Sequence, residues 1–183
     1  MEIINTIDLS ILNWIQNVLR CDVLDCIMGF FSRIGDAGLV WIVAAIVMLF
    51  FKKTRVGGVI MLAAMALGFL LGDICLKPLV ARVRPCLVTD IVMNIPKPDS
   101  FSFPSGHSTA GFAASVTLLI KNKKLGIAAL VLAVLIAFSR LYNYVHYPSD
   151  VLCGMILGTL CALLMVYLFN KTGAERKLSG NPN

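Results

Sequence analysis

Apolar residues run almost unbroken through most of this chain, and short polar patches cut the runs into segments of membrane-spanning length. A spanning helix needs about 20 mostly apolar residues, within a range of about 17 to 25. Residues 34–51, 56–76, 104–120, 125–145 and 151–169 fit that pattern. A sixth stretch, 22–33, is shorter and is broken by Asp22, Asp25 and Arg33. Ahead of it, Ile11, Leu12, Ile15, Val18 and Leu19 recur at helical spacing opposite Asn13, Gln16 and Arg20. That spacing predicts an amphipathic helix over 1–21, lying in the membrane interface. Gly154, Gly158 and Ala162 repeat every fourth position, which lets helix backbones approach closely in lipid. The expected fold is all-α, an integral membrane bundle of about six transmembrane helices with an amphipathic N-terminal helix. It forms one domain over 1–183 that ends in a polar cytoplasmic tail at 170–183.

Composition agrees with a chain that lives in lipid. With 58% hydrophobic residues, 14% charged residues and a mean hydropathy of +0.86, there is too little polar surface to enclose a soluble core. The net charge of +6 falls in short clusters between apolar runs, so it reads as topology and an anion site rather than a nucleic-acid surface. Threading the spans puts 52–55, 121–124 and the tail residues Lys171, Arg176 and Lys177 on one side. By the positive-inside rule that side is the cytoplasm. Residues 77–103 and 142–149 then converge at the opposite face, outside the cytoplasm. If 22–33 crosses, the amino terminus is cytoplasmic; if it does not, the terminus lies outside and the rest is unchanged. Met1 to Leu19 holds no Lys or Arg, which argues against a cleavable secretory signal. The six cysteines show no metal-ligand spacing and read as small buried hydrophobes, although Cys75 and Cys86 could pair on an oxidising side.

Candidate chemistry is confined to three polar patches. In the first, Lys77 and Arg84 are seven residues apart, two turns, and would share a face of a continuous helix that Pro78 kinks and Pro85 ends. Cations this close to hydrocarbon usually have a partner, and an ion pair between Asp73 and Lys77 is the plain alternative. In the second, Ser105 and Gly106 open an apolar run, where unpaired helix N–H groups make an anion site that glycine leaves open. Alone, that tetrapeptide is as well explained by a helix cap with His107 packed beside it. The third patch holds Arg140, His146 and Asp150. Asp150 is one turn beyond His146 and can fix its tautomer, leaving the other ring nitrogen free to attack. Both histidines of the chain thus share one membrane face with three cations and a carboxylate, a set suited to holding a phosphoryl group and transferring it to a histidine. Tyr142, Tyr144 and Tyr147 are placed for the membrane interface.

The order K-x6-R-P, P-S-G-H, S-R-x5-H-x3-D resembles the three-part signature of the type 2 phosphatidic acid phosphatase superfamily, over about the last 110 residues. The resemblance implies that Lys77, Arg84, Ser105, Gly106 and Arg140 bind phosphoryl oxygens. It implies that His146 is the nucleophile forming a phosphohistidine, that Asp150 orients it and that His107 protonates the leaving oxygen. Arg82 lies between signature positions and inherits no role. The family needs no metal or other cofactor, and the chain has no carboxylate cluster suited to Mg²⁺. The implied partners are the membrane and a lipid phosphate drawn from the bilayer, with no nucleic acid. Among such proteins the outward site favours undecaprenyl diphosphate in the cell membrane. Phosphatidylglycerophosphate or phosphatidate comes close behind, and lipid A is less favoured. A small anion transporter is the non-enzymatic alternative, but it would need polar groups continuing toward the cytoplasm. Two histidines with ordinary pKa values near about 6.5, one neutral and one protonated, predict a bell-shaped pH profile.

Overall fold

The structure, a computed structural model, describes residues 2–89 and 91–173. Among these the chain is helical with no strands. Helix α1 (Glu2–Leu19) and α2 (Asp22–Ile34) precede a short 3-10 turn, Asp36–Gly38, and α3 (Leu39–Leu49). Next come α4 (Arg55–Phe69), a π-helical stretch Leu70–Leu76, α5 (Lys77–Val80) and α6 (Pro85–Val88). After a loop follow α7 (Gly106–Lys121), α8 (Lys123–Tyr142) and α9 (Pro148–Lys171). Arg176, Lys177 and most of the expected tail lie outside the described residues.

Three stretches are long and apolar enough to cross a membrane: Arg55–Val88, Lys123–Tyr142 and Pro148–Lys171. A fourth arises if the pair formed by α2 and α3, bent by 47°, counts as one span. The bend sits where Ala37 and Gly38 take left-handed φ values of 52° and 68°, which an α-helix cannot continue through. The sixth stretch in the sequence is therefore joined to the first long one by a break. Contacts also show that α2 lies across one end of the bundle. Asp25 in its first turn accepts from Tyr142 Oη at 2.7 Å, and Ser32 near its end accepts from Arg140. Both partners belong to the last turn of α8.

On α1 the apolar residues divide between the protein interior and its outer face. Leu12 and Ile15 are buried as expected, but Ile11 and Val18 are exposed. Part of the polar side meets the protein. Asn13 accepts from Tyr144 Oη at 2.8 Å, Gln16 donates to the Tyr142 carbonyl at 2.6 Å, and Arg20 donates to the Val92 carbonyl at 2.8 Å. The helix thus satisfies polar groups of the loops beneath it, and it covers Tyr142, Tyr144 and Tyr147, all of them buried rather than at a lipid interface.

Helix α7 is central, packed on α4, α8 and α9. Its approach to α9 depends on the four-residue glycine spacing. A Cβ at Gly158 would stand 2.2 Å from the Thr109 carbonyl oxygen, and one at Gly154 would stand 2.6 Å from that of Ser105. Overpacking of this kind typically costs about 1–3 kcal/mol. The same contact holds the start of α7 beside the start of α9, where Ser105 donates its N–H to the Asp150 carbonyl at 3.1 Å. Cys75 and Cys86 are both free, the first exposed and the second buried.

Candidate active site

The first patch is not one helix face. Helix α5 stops at Ala81, whose φ of 47° is left-handed, at a cost of about 1–2 kcal/mol for a residue with a Cβ. Pro85 opens α6 rather than ending the preceding helix, consistent with proline's fit to a first helical position. Arg84 therefore reaches the site from a non-helical link. It donates through Nε to the Ser100 carbonyl at 2.7 Å, through Nη2 to Ser100 Oγ at 3.0 Å and through Nη1 to the Val145 carbonyl at 2.8 Å. These bonds tie three separate loops around one buried guanidinium. Lys77 is paired with Asp73, as the plain alternative allowed. The Asp73 oxygens also lie 3.1 and 3.3 Å from where a Cβ on Gly106 would be, so that glycine keeps the space between them open.

Ser105 is the N-cap of α7, accepting from Ser108 N–H at 3.4 Å and Ser108 Oγ at 3.0 Å. Its side chain is fully buried, with 0% exposure, and does not line the cavity. The hydroxyl serves as the acceptor that the start of the helix needs. The amides of Gly106 and His107 are left without intrahelical partners.

His146 lies in the loop between α8 and α9, with its Nε2 3.0 Å from Arg84 Nη1. A guanidinium only donates, so Nε2 must accept and the ring proton belongs on Nδ1. Nδ1 faces Asp150 Oδ2 at 3.6 Å, too long for a hydrogen bond, and it has no other partner. Burial pulls the His146 pKa down to about 3, Arg84 and Arg140 reinforcing it against the pull of Asp150, so the ring is neutral at pH 7. Asp150 is itself fully buried and accepts from the Tyr147 N–H at 2.9 Å and from Ser102 Oγ.

Lys77, Arg84, Gly106, His107, Arg140 and His146 meet around one cavity of about 860 Å³, with Ser105 and Asp150 directly behind its wall. The cavity continues past the polar head between Ile42, Leu62, Met65 and Phe69. That is room for a charged head group and an apolar chain. Several neighbours escaped the sequence reading. His107 Nε2 is 3.0 Å from Asp36 Oδ1, Arg140 donates to Ser32, and Arg33 and Lys97 line the same cavity. Arg82 bonds Asp150 Oδ1 at 2.6 Å and Asp8 Oδ2 at 2.7 Å. One signal was present for Asp8: a carboxylate within an otherwise uncharged stretch beside lipid needs a cation.

The chain was compared with known proteins. Residues 57–174 match the family model described as PAP2 superfamily. An undecaprenyl-diphosphatase of Sulfolobus acidocaldarius is 34% identical over 157 residues, covering 85% of this chain and 75% of that protein. The undecaprenyl-diphosphatase BcrC of Bacillus subtilis is 28% identical over 146 residues, covering 78% of this chain and 73% of its own. Among solved structures, a transmembrane PAP2-type phosphatidylglycerolphosphate phosphatase from Bacillus subtilis superposes with a TM-score of 0.77 at 31% identity, over 93% of this chain and 88% of that one.

Proposed function

The chain belongs to the PAP2 superfamily and is a multi-pass membrane hydrolase of lipid phosphates; we propose that it works without metal through a phosphohistidine on His146, with undecaprenyl diphosphate as its preferred substrate. The observation that carries this reading is the pairing of His146 Nε2 with Arg84 at 3.0 Å. It marks Nε2 as the ring nitrogen without a proton, its lone pair held by Arg84 until substrate takes that place, at the wall of a cavity that also holds Lys77, Arg140 and His107.

In the first step Nε2 attacks phosphorus while the bond to the leaving oxygen breaks and His107 gives that oxygen a proton. Asp150 draws toward the Nδ1–H as charge grows on the ring. Lys77, Arg84, Arg140 and the amides of Gly106 and His107 neutralise the equatorial oxygens, and Ser105 holds those amides by capping the helix. Preorganised donors of this kind are the main catalytic resource in phosphoryl transfer. In the second step water attacks the P–N bond, His107 takes its proton, and phosphate leaves with His146 neutral again. Lys77 must exchange Asp73 for the substrate during the cycle.

The Arg55–Val88 stretch, α8 and α9 are the crossings long enough on their own, with α7 and the shorter α3 packed against them. Helices α1 and α2 then lie over the site end, as one domain with the rest. The basic clusters at 52–55 and 121–124 fall at the opposite ends of the spans, which supports a site outside the cytoplasm. Two undecaprenyl-diphosphatases among the relatives favour that substrate. The phosphatidylglycerolphosphate phosphatase neighbour keeps that lipid as the second reading. The apolar lining below the head argues against an ion path and so against a transporter.

The test is phosphate release by the purified chain in detergent with EDTA, comparing undecaprenyl diphosphate, phosphatidylglycerophosphate and phosphatidate. Release from the first should be fastest, and His146→Ala should abolish it together with any acid-labile phosphoenzyme. Activity surviving in His146→Ala, or requiring added metal, would overturn the mechanism.

A further inference from the structure

Arg82 has no place in the signature, yet its side chain makes four hydrogen bonds, as many as that of Arg84. Its Nη1 donates to Asp150 Oδ1 at 2.6 Å and Ser149 Oγ at 2.7 Å, and its Nη2 to Asp8 Oδ2 at 2.7 Å and Asn5 Oδ1 at 2.6 Å. The guanidinium carbon lies 3.8 Å from the centroid of the Tyr147 ring. Asp8 also accepts from the Ser149 N–H at 3.0 Å. Its side chain is 4% exposed and that of Asp150 is 0%. Helix α1 falls outside the matched family region, which begins at residue 57, but its one carboxylate near the site is a single guanidinium away from the Asp that faces His146.

We infer that Arg82 and Asp8 are positioning residues for phosphoryl transfer: the bridge from the N-terminal helix fixes Asp150 and keeps the His146 ring unprotonated until it attacks. The inference rests on His146 being the nucleophile. Asp150 serves two opposed ends. Its charge must favour the ring once a phosphoryl group is attached, yet a bare buried carboxylate beside Nδ1 would hold a proton on the free imidazole, which then could not attack. Arg82 on Oδ1 offsets that charge, while Ser102 and the Tyr147 N–H occupy Oδ2. The other charged groups facing the ring are Arg84 from the link before α6 and Arg140 from α8, with His107 of α7 across the cavity. From α1, Asn5 and Asp8 both reach Asp150 through Arg82, and of the two Asp8 carries the charge. A plainer role would be that Asp8 simply caps α9 through Ser149, and the two roles differ in what they do to the imidazole.

With only two histidines in the chain, ¹⁵N-imidazole NMR of the full protein in detergent micelles can follow His146 once His107→Asn assigns the pair. Arg82→Gln should raise the His146 titration midpoint by about one pH unit or more, whereas a cap alone would leave it in place. Arg82→Lys, which keeps a cation on Asp150, should return the midpoint most of the way to wild type. In phosphate release from undecaprenyl diphosphate and phosphatidylglycerophosphate, Arg82→Gln should move the acid limb of kcat/KM to higher pH. Asp8→Asn should lower kcat about 10- to 100-fold with KM unchanged, and it should add nothing in an Arg82→Gln background. An unmoved midpoint in Arg82→Gln, or losses that multiply in the double variant, would overturn the inference. Should Arg82→Gln fail to fold, the kcat-against-KM split in Asp8→Asn decides. A wild-type chain that releases no phosphate from either lipid would instead sink the phosphatase reading, and the NMR midpoint would still decide whether the bridge controls His146.

Discussion

Residues 57–173 and residues 2–56 divide the work of this molecule unequally and in an instructive way. The later region holds Lys77, Arg84, Ser105, Gly106, His107, Arg140, His146 and Asp150. It also matches the family model almost end to end. The earlier region holds no signature residue, yet three of its side chains each reach a different part of the site. Asp8 reaches Asp150 through Arg82, Ser32 accepts from Arg140, and Asp36 meets His107 at 3.0 Å. The groups that would touch phosphate lie in the later region, while partners of His107, of Arg140 and, through Arg82, of Asp150 lie in the earlier one. A signature therefore names the reacting side chains without naming what holds them ready.

That division fails if the partners matter as much as the residues they hold, and the strongest test is on the leaving group. A diphosphate expels a phosphate, which needs little protonation, whereas a monoester must expel an alkoxide. General acids typically contribute about 10²–10⁴ in rate. His107→Asn should therefore slow phosphatidylglycerophosphate hydrolysis by about that factor and undecaprenyl diphosphate hydrolysis far less, measured as kcat on each. Equal losses would remove His107 from the acid's role. A smaller effect separates the two histidines by pH. With the His146 pKa drawn down to about 3, the neutral nucleophile is fully present from about pH 5 upward. The wild-type kcat/KM should then show no acid limb between about pH 5 and 8, only an alkaline fall as His107 loses its proton. The bell expected from two ordinary imidazoles would be missing its lower side, and an acid limb centred near pH 6 would contradict a buried, neutral His146.

Spacing made much of this legible. The all-helical fold, the small-residue stripe of α9 and six of the residues that line the cavity follow from periodicity and motif order. What spacing could not supply was direction at the breaks. Ala81 in the left-handed region turns Arg84 off the helix that would have carried it beside Lys77. Ala37 and Gly38 bend the chain between α2 and α3, so that Asp25 and Ser32 of α2 meet the last turn of α8. The amphipathic pattern of α1 records only that one side is polar. It does not record whether water or a neighbouring loop meets that side, and here Tyr142 and Tyr144 do. Arg82 was passed over for a related reason: its partners Asp8 and Asp150 are 74 and 68 residues away in sequence, a distance across which no local pattern pairs charges.

The weakest link between the two regions is the one at Asp36, and it gives the finest test. Its carboxylate bonds His107 Nε2 at 3.0 Å, but its side chain is 63% exposed, against 15% for His107. Exposed ion pairs are screened and typically contribute about 0.2–1 kcal/mol. Asp36→Asn should therefore cost no more than about fivefold in kcat on phosphatidylglycerophosphate. It should leave undecaprenyl diphosphate nearly untouched, because it acts only through the acid. The loss should also shrink as salt is raised, since the wild-type bond is itself weakened by screening. A loss as large as that of His107→Asn would mean that the turn between α2 and α3 belongs to the reacting machinery itself. A loss shared equally by both lipids would mean that Asp36 supports the shape of the cavity rather than the proton on His107.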